Sequence, residues 1–496
     1  MPLSRLSANK AEGREPGNIT IRNWARAFID DFQAGRTPDY ELLSRLCRLA
    51  VRDDEQADDA VCGIFCGIIE PLCDDFSRAG VEIGNEVLTR IITFVRQTPQ
   101  GRELDRLLAE RGFHCPADIM KRYKRISRPR VLSRERKKAA RKVIVLSRIT
   151  TGADIAITSV IVHRLRRSLP LTEIVLIGPR HLPSLFPELN NCRTIPFVYK
   201  NGGGLFEKMT SWPPLLKIVE LETRDDPEDA VLLFDPDSRL TQLGLLPLLD
   251  DASTCYFPSR SWQPGPGESG CLSSLTSQWL NRLLDEKEEI PPYLVLHNEG
   301  HGYNTFCQGL KARGCKFIIV MNLGVGNNPC KKIPRQLENQ LVMKLVGEPG
   351  TILILDRGHG EEESRRTDAI LALARENGVK TGSLTAEAIP AVAPSFNRGI
   401  LAFDGSIDAL GKMICAADCF VGYDSCGQHL AAATGTPAVI VFAGAPSSRF
   451  IERWAPAVGS NITIEIKPDQ TGKDDLKSLI AIVHDKVRGI KHGCYM

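Results

Sequence analysis

Along the first 138 positions apolar residues recur every three or four places, in RNWARAFIDDF, DYELLSRLCRLAV, VLTRIITFVRQ and GRELDRLLAERGF. That is the period of amphipathic helices, and no strand-like run interrupts it. From residue 143 the pattern changes. Short β-rich runs, VIVL (143–146), EIVLIG (173–178), VLLFD (231–235) and YLVLHN (293–298), alternate with helical stretches. The alternation then restarts with KFIIVMN (316–322), TILILD (351–356), CFVGYD (419–424) and AVIVFAG (438–444). Strands alternating with helices predict parallel sheets built of βαβ units. The restart predicts two such domains in series, 139–312 and 313–496, behind a helical extension over 1–138. The closing stretch DDLKSLIAIVHDKVRGI predicts a last helix that completes the second domain or packs back on the first. In doubly wound sheets ligands bind beyond the carboxyl ends of the strands. Two facing domains therefore create a cleft that suits a donor on one side and an acceptor on the other.

Composition narrows the class. Hydrophobic residues make up 43% and charged residues 25% of the chain, an ordinary globular balance, and the net charge of +3 gives no global case for nucleic acid. No run of about 18 apolar residues predicts a membrane span. The N-terminal MPLSRLSANKAEGREPGN lacks an apolar core, so it reads as a disordered lead-in and the expected compartment is the cytoplasm. The 15 cysteines then read as free, mostly buried thiols. Cys62, Cys66 and Cys73 invite a metal reading, but their spacing fits buried helix cysteines better than a zinc site. Between Lys121 and Lys142 the chain is strongly basic. This stretch is either a solvated linker or a patch for anionic headgroups, which would give peripheral contact with an inner membrane.

Four segments carry candidate chemistry. In VIVLSRITTGADIAIT a strand enters a turn containing Gly152, and Asp154 opens the following helix. Asp154 is either an N-cap or a general base facing the cleft. In CFVGYDSCGQHLAAATGTPAVIVFAG a strand ends at Tyr423 and Asp424, and a Ser-Cys-Gly turn starts a helix. The free amides and positive dipole end of that helix suit a diphosphate, with a hydroxyl from Ser425 and close backbone approach at Gly427. The plain alternative is an ordinary βα turn. The loop in VMNLGVGNNPCKKIP could cradle phosphate, with Lys331 or Lys332 neutralising charge, or be a surface loop. In DRGHGEEESRR, Glu361, Glu362 and Glu363 begin a helix after a strand end. They bind a ribose diol, or they merely complement the helix dipole.

Taken together, the order and spacing of these segments over about residues 140–490 resemble glycosyltransferase family 9, the ADP-heptose:lipopolysaccharide heptosyltransferases. One hallmark is Gly152-Ala153-Asp154 followed by an apolar-Thr stretch and His163-Arg164-Leu165-Arg166-Arg167. The more specific one is Asp424-Ser425-Cys426-Gly427-Gln428-His429-Leu430, then Gly435-Thr436-Pro437, Phe442-Ala443-Gly444 and Trp454-Ala455-Pro456. The resemblance implies a glycosyltransferase-B arrangement of two Rossmann-like domains, acceptor on the first and nucleotide sugar on the second. It implies inverting transfer, most simply of heptose from ADP-heptose, to a glycan or lipid-linked glycan such as lipopolysaccharide core. It also implies roles: Asp154 as base, Lys331 on the donor phosphate, Glu361 or Glu362 on the ribose, Gly405 in the base-pocket loop, and Asp424, Ser425, Gly427 and His429 in the donor turn. No cofactor and no metal are implied, and Asp235-Pro236-Asp237 reads as a turn. Cys426 stands where the family has glycine, and Ala153 intrudes in its Gly-Asp pair.

Rival readings have discriminators. A catalytically degenerate nucleotide- or glycan-binding scaffold would bind without turnover. A nicotinamide oxidoreductase needs a Gly-x-Gly-x-x-Gly turn, which Gly152-Ala153-Asp154 does not supply. A nucleotide-sugar epimerase of the same fold would need no acceptor.

Overall fold

The computed structural model describes residues 16–187, 191–200, 202–294, 300–326, 328–389, 395–456, 461–466 and 473–493. The N-terminal lead-in to residue 15 and most of the strand expected over 293–298 lie outside them, and Tyr293 and Leu294 belong to no strand. Two wholly parallel sheets form. The first has the order β3-β2-β1-β4-β5, from β1 (Lys142–Leu146), β2 (Glu173–Gly178), β3 (Cys192–Pro196), β4 (Val231–Asp235) and β5 (Thr254–Tyr256). The second has the order β12-β11-β10-β6-β7-β9-β8. Its strands are β6 (Phe317–Asn322), β7 (Thr351–Asp356), β8 (Thr381–Thr385), β9 (Gly399–Asp404), β10 (Cys419–Tyr423), β11 (Ala438–Ala443) and β12 (Asn461–Ile466).

Side chains alternate across a strand, so each sheet presents two faces. In β1, Val143 and Val145 join a core with the helix Ser159–Ser168 and the helix Leu272–Leu284. That core runs on to Ile318 and Val320 of β6, so apolar packing is continuous from the first domain to the second. Phe317, Ile319 and Met321 face the opposite way, toward the helix Arg335–Gly347 and the final helix Lys473–Lys491. The last helix thus completes the second domain.

The other face of the first sheet explains the N-terminal helices. Ile144, Leu146, Val175, Ile177 and Leu233 are fully or nearly fully buried against a layer that includes Phe28, Leu46, Ile64, Leu88 and Ile92. The helical region is therefore the second covering layer of that sheet, sharing one core with it.

The basic stretch fastens this layer. Arg122 is buried and donates to the Gly244 carbonyl at 3.0 Å while pairing with Asp251 at 3.1 Å. Arg125 pairs with Asp251, Arg130 donates to the Asp251 and Ala252 carbonyls, and Arg136 donates to the Val231 carbonyl and to Ser253. Lys137 reaches the Leu284 carbonyl and Lys142 pairs with Asp226. Only the exposed remainder, including Lys121, Lys124, Arg128, Arg134 and Lys138, is free of such ties to the first domain and open to solvent. No helix among the described residues is long and apolar enough to cross a membrane.

The cysteine expectation is corrected in part. Cys62 and Cys66 are exposed, because their helix buries the stripe carrying Val61, Ile64, Phe65 and Ile68 instead. No cluster of three metal-ligating side chains occurs among the described residues.

A buried ion pair locks the helical layer to the sheet. Arg260 lies 2.9 Å from Asp237 and donates to Asn85 of the helix Arg78–Arg96 at 3.1 Å. Burial raises the Asp237 carboxyl, but Arg260 and Arg148 outweigh it and hold the group below its ordinary range. Replacing Arg260 by Ala strands a buried carboxylate, which typically costs about 3–5 kcal/mol. Urea unfolding of R260A should show that loss, and a change below about 1 kcal/mol would contradict the locking role.

Candidate functional site

The carboxyl ends of β1, β2, β6, β7 and β10 meet where the domains touch. The turn after β1 is strained: Ile149, a β-branched residue, has φ +75°. The next residues, Thr151–Ala153, pack directly on the amino end of the helix Cys426–Thr434. A Cβ on Gly152 would lie 2.8 Å from Cδ2 of His429 and 3.5 Å from Cα of Cys426. Gly152 is required by this approach between domains rather than by a left-handed turn.

Asp154 is neither the N-cap, which is Thr150, nor open to the cleft. Its carboxylate is fully buried and accepts from Ser147 Oγ at 2.7 Å, from the Arg148 amide at 2.8 Å and from Thr158 Oγ1 at 2.8 Å. His181 Nε2 lies a further 3.4 Å from it. The residue expected as a cleft base is thus buried, and these donors tie its carboxylate to the β1 turn. Arg148 continues the brace, donating to the Pro236 and Asp237 carbonyls and to Ser259. Asp235-Pro236-Asp237 is indeed a turn, with Asp237 at φ +63°.

The second domain brings several expected residues together. Lys331 Nζ lies 2.5 Å from Asp424 Oδ2, and Gln428 donates to the other carboxylate oxygen at 2.7 Å. Ser425 is the N-cap of the helix Cys426–Thr434, yet its hydroxyl caps nothing. That Oγ and Oε1 of Gln428 are buried without a hydrogen-bond partner. The first-turn amides have no acceptor within the helix. Two orphaned polar atoms thus sit at the amino end of this helix, beside the Lys331–Asp424 pair. Gln428 was not singled out by the sequence, where it reads as an ordinary helix residue.

His429 is buried, edge-on to Trp454 at 5.8 Å, and burial pushes its pKa down to about 4. It acts as a neutral imidazole rather than a cation. Gly427 meets a different need from the expected one: a Cβ there would lie 2.4 Å from the Phe420 ring, so it is demanded by packing. Burial pushes the Cys426 thiol up to about 12, which keeps it protonated.

The three acids of the run point in different directions. The side chains of Glu361 and Glu362 are 85% and 70% exposed and pair with Arg365 and Arg335. Glu363 turns inward, accepting from the His359 amide at 2.7 Å with its carboxylate against Gly324. A helix turns about 100° per residue, so only one of three consecutive acids can face the cleft. Beside it, Asp356 at the end of β7 accepts from Asn322, and burial raises it to about 6. Gly405 is exposed, just past the end of β9.

The N-terminal layer reaches this site as well, which the sequence did not signal. Phe76, at φ +51°, sets its ring 6.4 Å from Phe450 and 6.5 Å from Trp454. Those two rings in turn contact Lys331, 5.5 Å above Phe450, and His429. Arg449 donates to the Asp75 carbonyl at 2.8 Å.

A neutral buried His429 couples stability to acid. Its folded-state pKa lies below the unfolded value near 6.5, so the unfolded chain binds the extra proton. The stabilisation is complete above about pH 6.5 and is lost as pH falls toward 4, by roughly 3 kcal/mol in all. Denaturant titrations between pH 7 and 4 should show a flatter profile for His429→Gln. Equal slopes for both proteins would contradict the assignment.

No family model matches the sequence, and no curated protein matches it. Solved structures do. The crystal structure of the glycosyl transferase family 9 from Veillonella parvula DSM 2008 is similar at 13% identity with a TM-score of 0.50, over 71% of this chain and 97% of that one. E. coli ADP-heptose lps heptosyltransferase II is 17% identical, with a TM-score of 0.46, over 71% and 99%. A UDP-N-acetylglucosamine 2-epimerase is 11% identical, with a TM-score of 0.39, over 72% and 91%. At such identities the likeness is one of fold. The chain has the glycosyltransferase-B arrangement of two Rossmann-like domains, here behind a helical N-terminal layer, and the family its motifs resemble is among the structural neighbours.

Proposed function

We propose that this chain is a glycosyltransferase that takes its sugar from a nucleoside diphosphate donor held at the amino end of the helix Cys426–Thr434. One observation carries the reading: Ser425 Oγ and Gln428 Oε1 are buried without partners beside the Lys331–Asp424 pair. A buried polar atom left without a partner costs about 1–3 kcal/mol, a cost that a bound polar ligand removes. The helix amides and Lys331 favour an anion there.

In this reading the diphosphate accepts from the first-turn amides and from Lys331, which partly leaves Asp424. Charge grows on the leaving diphosphate as the bond to the sugar breaks, and these preset donors stabilise it. Glu363, rather than Glu361 or Glu362, faces the ribose. Gly405 and its neighbours border the base pocket. The neutral imidazole of His429 offers a hydrogen bond to the sugar or phosphate without adding charge. The direct displacement implied by the resemblance inverts the anomeric centre. ADP-heptose is the first donor to try, and a glycan or lipid-linked glycan the acceptor class. The scaffold reading draws support from the locked Asp154 carboxylate, and turnover separates the two.

Calorimetric titration with ADP-heptose, ADP, UDP and GDP tests the donor site. One nucleotide should bind selectively, and Lys331→Ala should weaken it about 10- to 100-fold, the worth of a charge-assisted hydrogen bond. No binding by the folded protein would remove the donor-site reading. Ser425→Ala should act in opposite directions on two readouts. Deleting an orphaned buried hydroxyl leaves stability unchanged or raises it by up to about 1 kcal/mol, while nucleotide affinity falls. A parallel loss of both would mean that Ser425 serves the fold alone.

A further inference from the structure

The proposed transfer needs a group to take the proton of the attacking hydroxyl. The Asp154 carboxylate is fully buried, so it cannot meet an acceptor directly. What it meets is an imidazole. Nε2 of His181 lies 3.4 Å from Asp154 Oδ2, and the His181 side chain is 28% exposed while that of Asp154 is 0% exposed. His429, the other imidazole at the junction, is itself buried against Trp454 and the Gly152 turn.

The fold places this pair at the junction. His181 comes from the turn after β2 and Asp154 from the turn after β1, two neighbouring strands of the first sheet. Both residues therefore lie beyond carboxyl ends of strands, where parallel sheets bind ligands. The helix Leu182–Leu185, which follows His181, packs on the helix Ile407–Ala416 of the second domain. The segment 151–158, which carries Asp154, packs on the helix Cys426–Thr434, with Gly152 against His429 and Cys426. His181 is the N-cap of its short helix but makes no side-chain capping bond, and no described residue bonds its Nδ1.

We propose that His181 accepts the proton of the attacking hydroxyl, with Asp154 as the positioning residue behind it. The inference rests on the donor-site reading above. Facing a carboxylate oxygen, Nε2 donates, which leaves the lone pair on Nδ1. In the step, the acceptor O–H bond breaks and its proton passes to Nδ1. The oxygen bonds to the anomeric carbon, and the electron pair of the bond to phosphate leaves on the diphosphate. The imidazolium so formed stands beside the Asp154 carboxylate, and it then returns its proton to solvent.

The other bonds to Asp154 suit this task. Ser147 Oγ, the Arg148 amide and Thr158 Oγ1 hold its carboxylate at 2.7, 2.8 and 2.8 Å, so the imidazole is aimed by a group that is itself fixed. A buried carboxylate behind a histidine selects one tautomer and stabilises the imidazolium that forms, which is how such pairs assist proton transfer. The 3.4 Å separation is longer than an ordinary N–H···O bond. It shortens as the ring gains charge, as catalytic hydrogen bonds often do in the working complex.

The experiment compares wild type, His181→Gln, His181→Ala and Asp154→Asn in the full chain. It reads ADP binding by calorimetry, ADP release from ADP-heptose with water as acceptor, melting temperature, and the His181 tautomer by NMR of the ring nitrogens. UDP-glucose and GDP-mannose are run in parallel for the case of another donor. In wild type the His181 proton should sit on Nε2. His181→Gln should keep its melting temperature, bind the nucleotide within about twofold of wild type and lose about 100-fold or more in release. Imidazole added to His181→Ala should restore part of the rate, which the loss of a merely structural contact would not allow. Asp154→Asn should disturb the tautomer and slow release, and the histidine variants decide the base role even where Asp154→Asn unfolds. A wild-type release rate in His181→Gln overturns the proposal, as does an equal loss of binding and release, or a proton on Nδ1 of the wild-type ring. Nucleotide binding without turnover of any sugar nucleotide by wild type overturns the base role and leaves the donor site standing. Failure to bind any nucleotide overturns the donor-site reading, and the base role with it.

Discussion

The first sheet has two apolar faces and must cover both. One face is covered by the helices of its own βαβ units, as parallel sheets require. The other, carrying Ile144, Leu146, Val175 and Ile177, has the N-terminal helices as a large part of its cover. This constraint turns a sequence that reads as an appendage into a structural layer. It explains why basic residues between the two regions point inward at carbonyls and at Asp251 rather than outward. It also brings the turn at Asp75–Phe76 against Arg449, Phe450 and Trp454 of the second domain.

A second consequence follows at the junction. Phe76 meets Phe450 and Trp454 from a layer that Arg260 ties down, bonding Asp237 just past β4 and Asn85 on the helix. A buried ion pair is weak evidence for net stability, but it penalises any docking that separates its members. Position is what the junction needs. Gly152 against His429, and Phe76 against two rings that also contact Lys331 and His429, give three segments of the chain a common contact point.

Much of this was legible in the sequence, for physical reasons. Strands β1, β2, β4, β6, β7, β10 and β11 are continuous branched runs because both of their faces are buried. β3, β5, β8 and β12 were not, since edge or short strands such as CRTIP and TGSLT mix polar residues and proline into half-covered faces. Lys331, Asp424, Ser425 and His429 sit at strand ends or helix starts, where sequence spacing maps directly onto space. That Glu363 faces inward while Glu361 and Glu362 face solvent was not legible, because a helix start allows three acids in a row and only rotation decides which one faces in. Asp154 was legible as a cleft-edge residue, but its saturation by Ser147, Arg148 and Thr158 depends on the fold of the turn. Nothing in the local pattern around Phe76 marks it, because the rings it meets, Phe450 and Trp454, lie more than 370 residues away.

The contrast between Asp154 and Asp74 shows how environment sorts chemically identical groups. Asp154 accepts from two hydroxyls and an amide, and these bonds hold its turn in one conformation. Asp74 is burdened by burial and by Glu70, without hydrogen bonds to stabilise its charge, and it gains most from taking a proton. A cover that only stabilised the sheet could be replaced by any apolar surface of the right shape. One whose Phe76 ring also packs on Phe450 and Trp454 has to keep its turn and its Arg260 lock in fixed relation to the second domain.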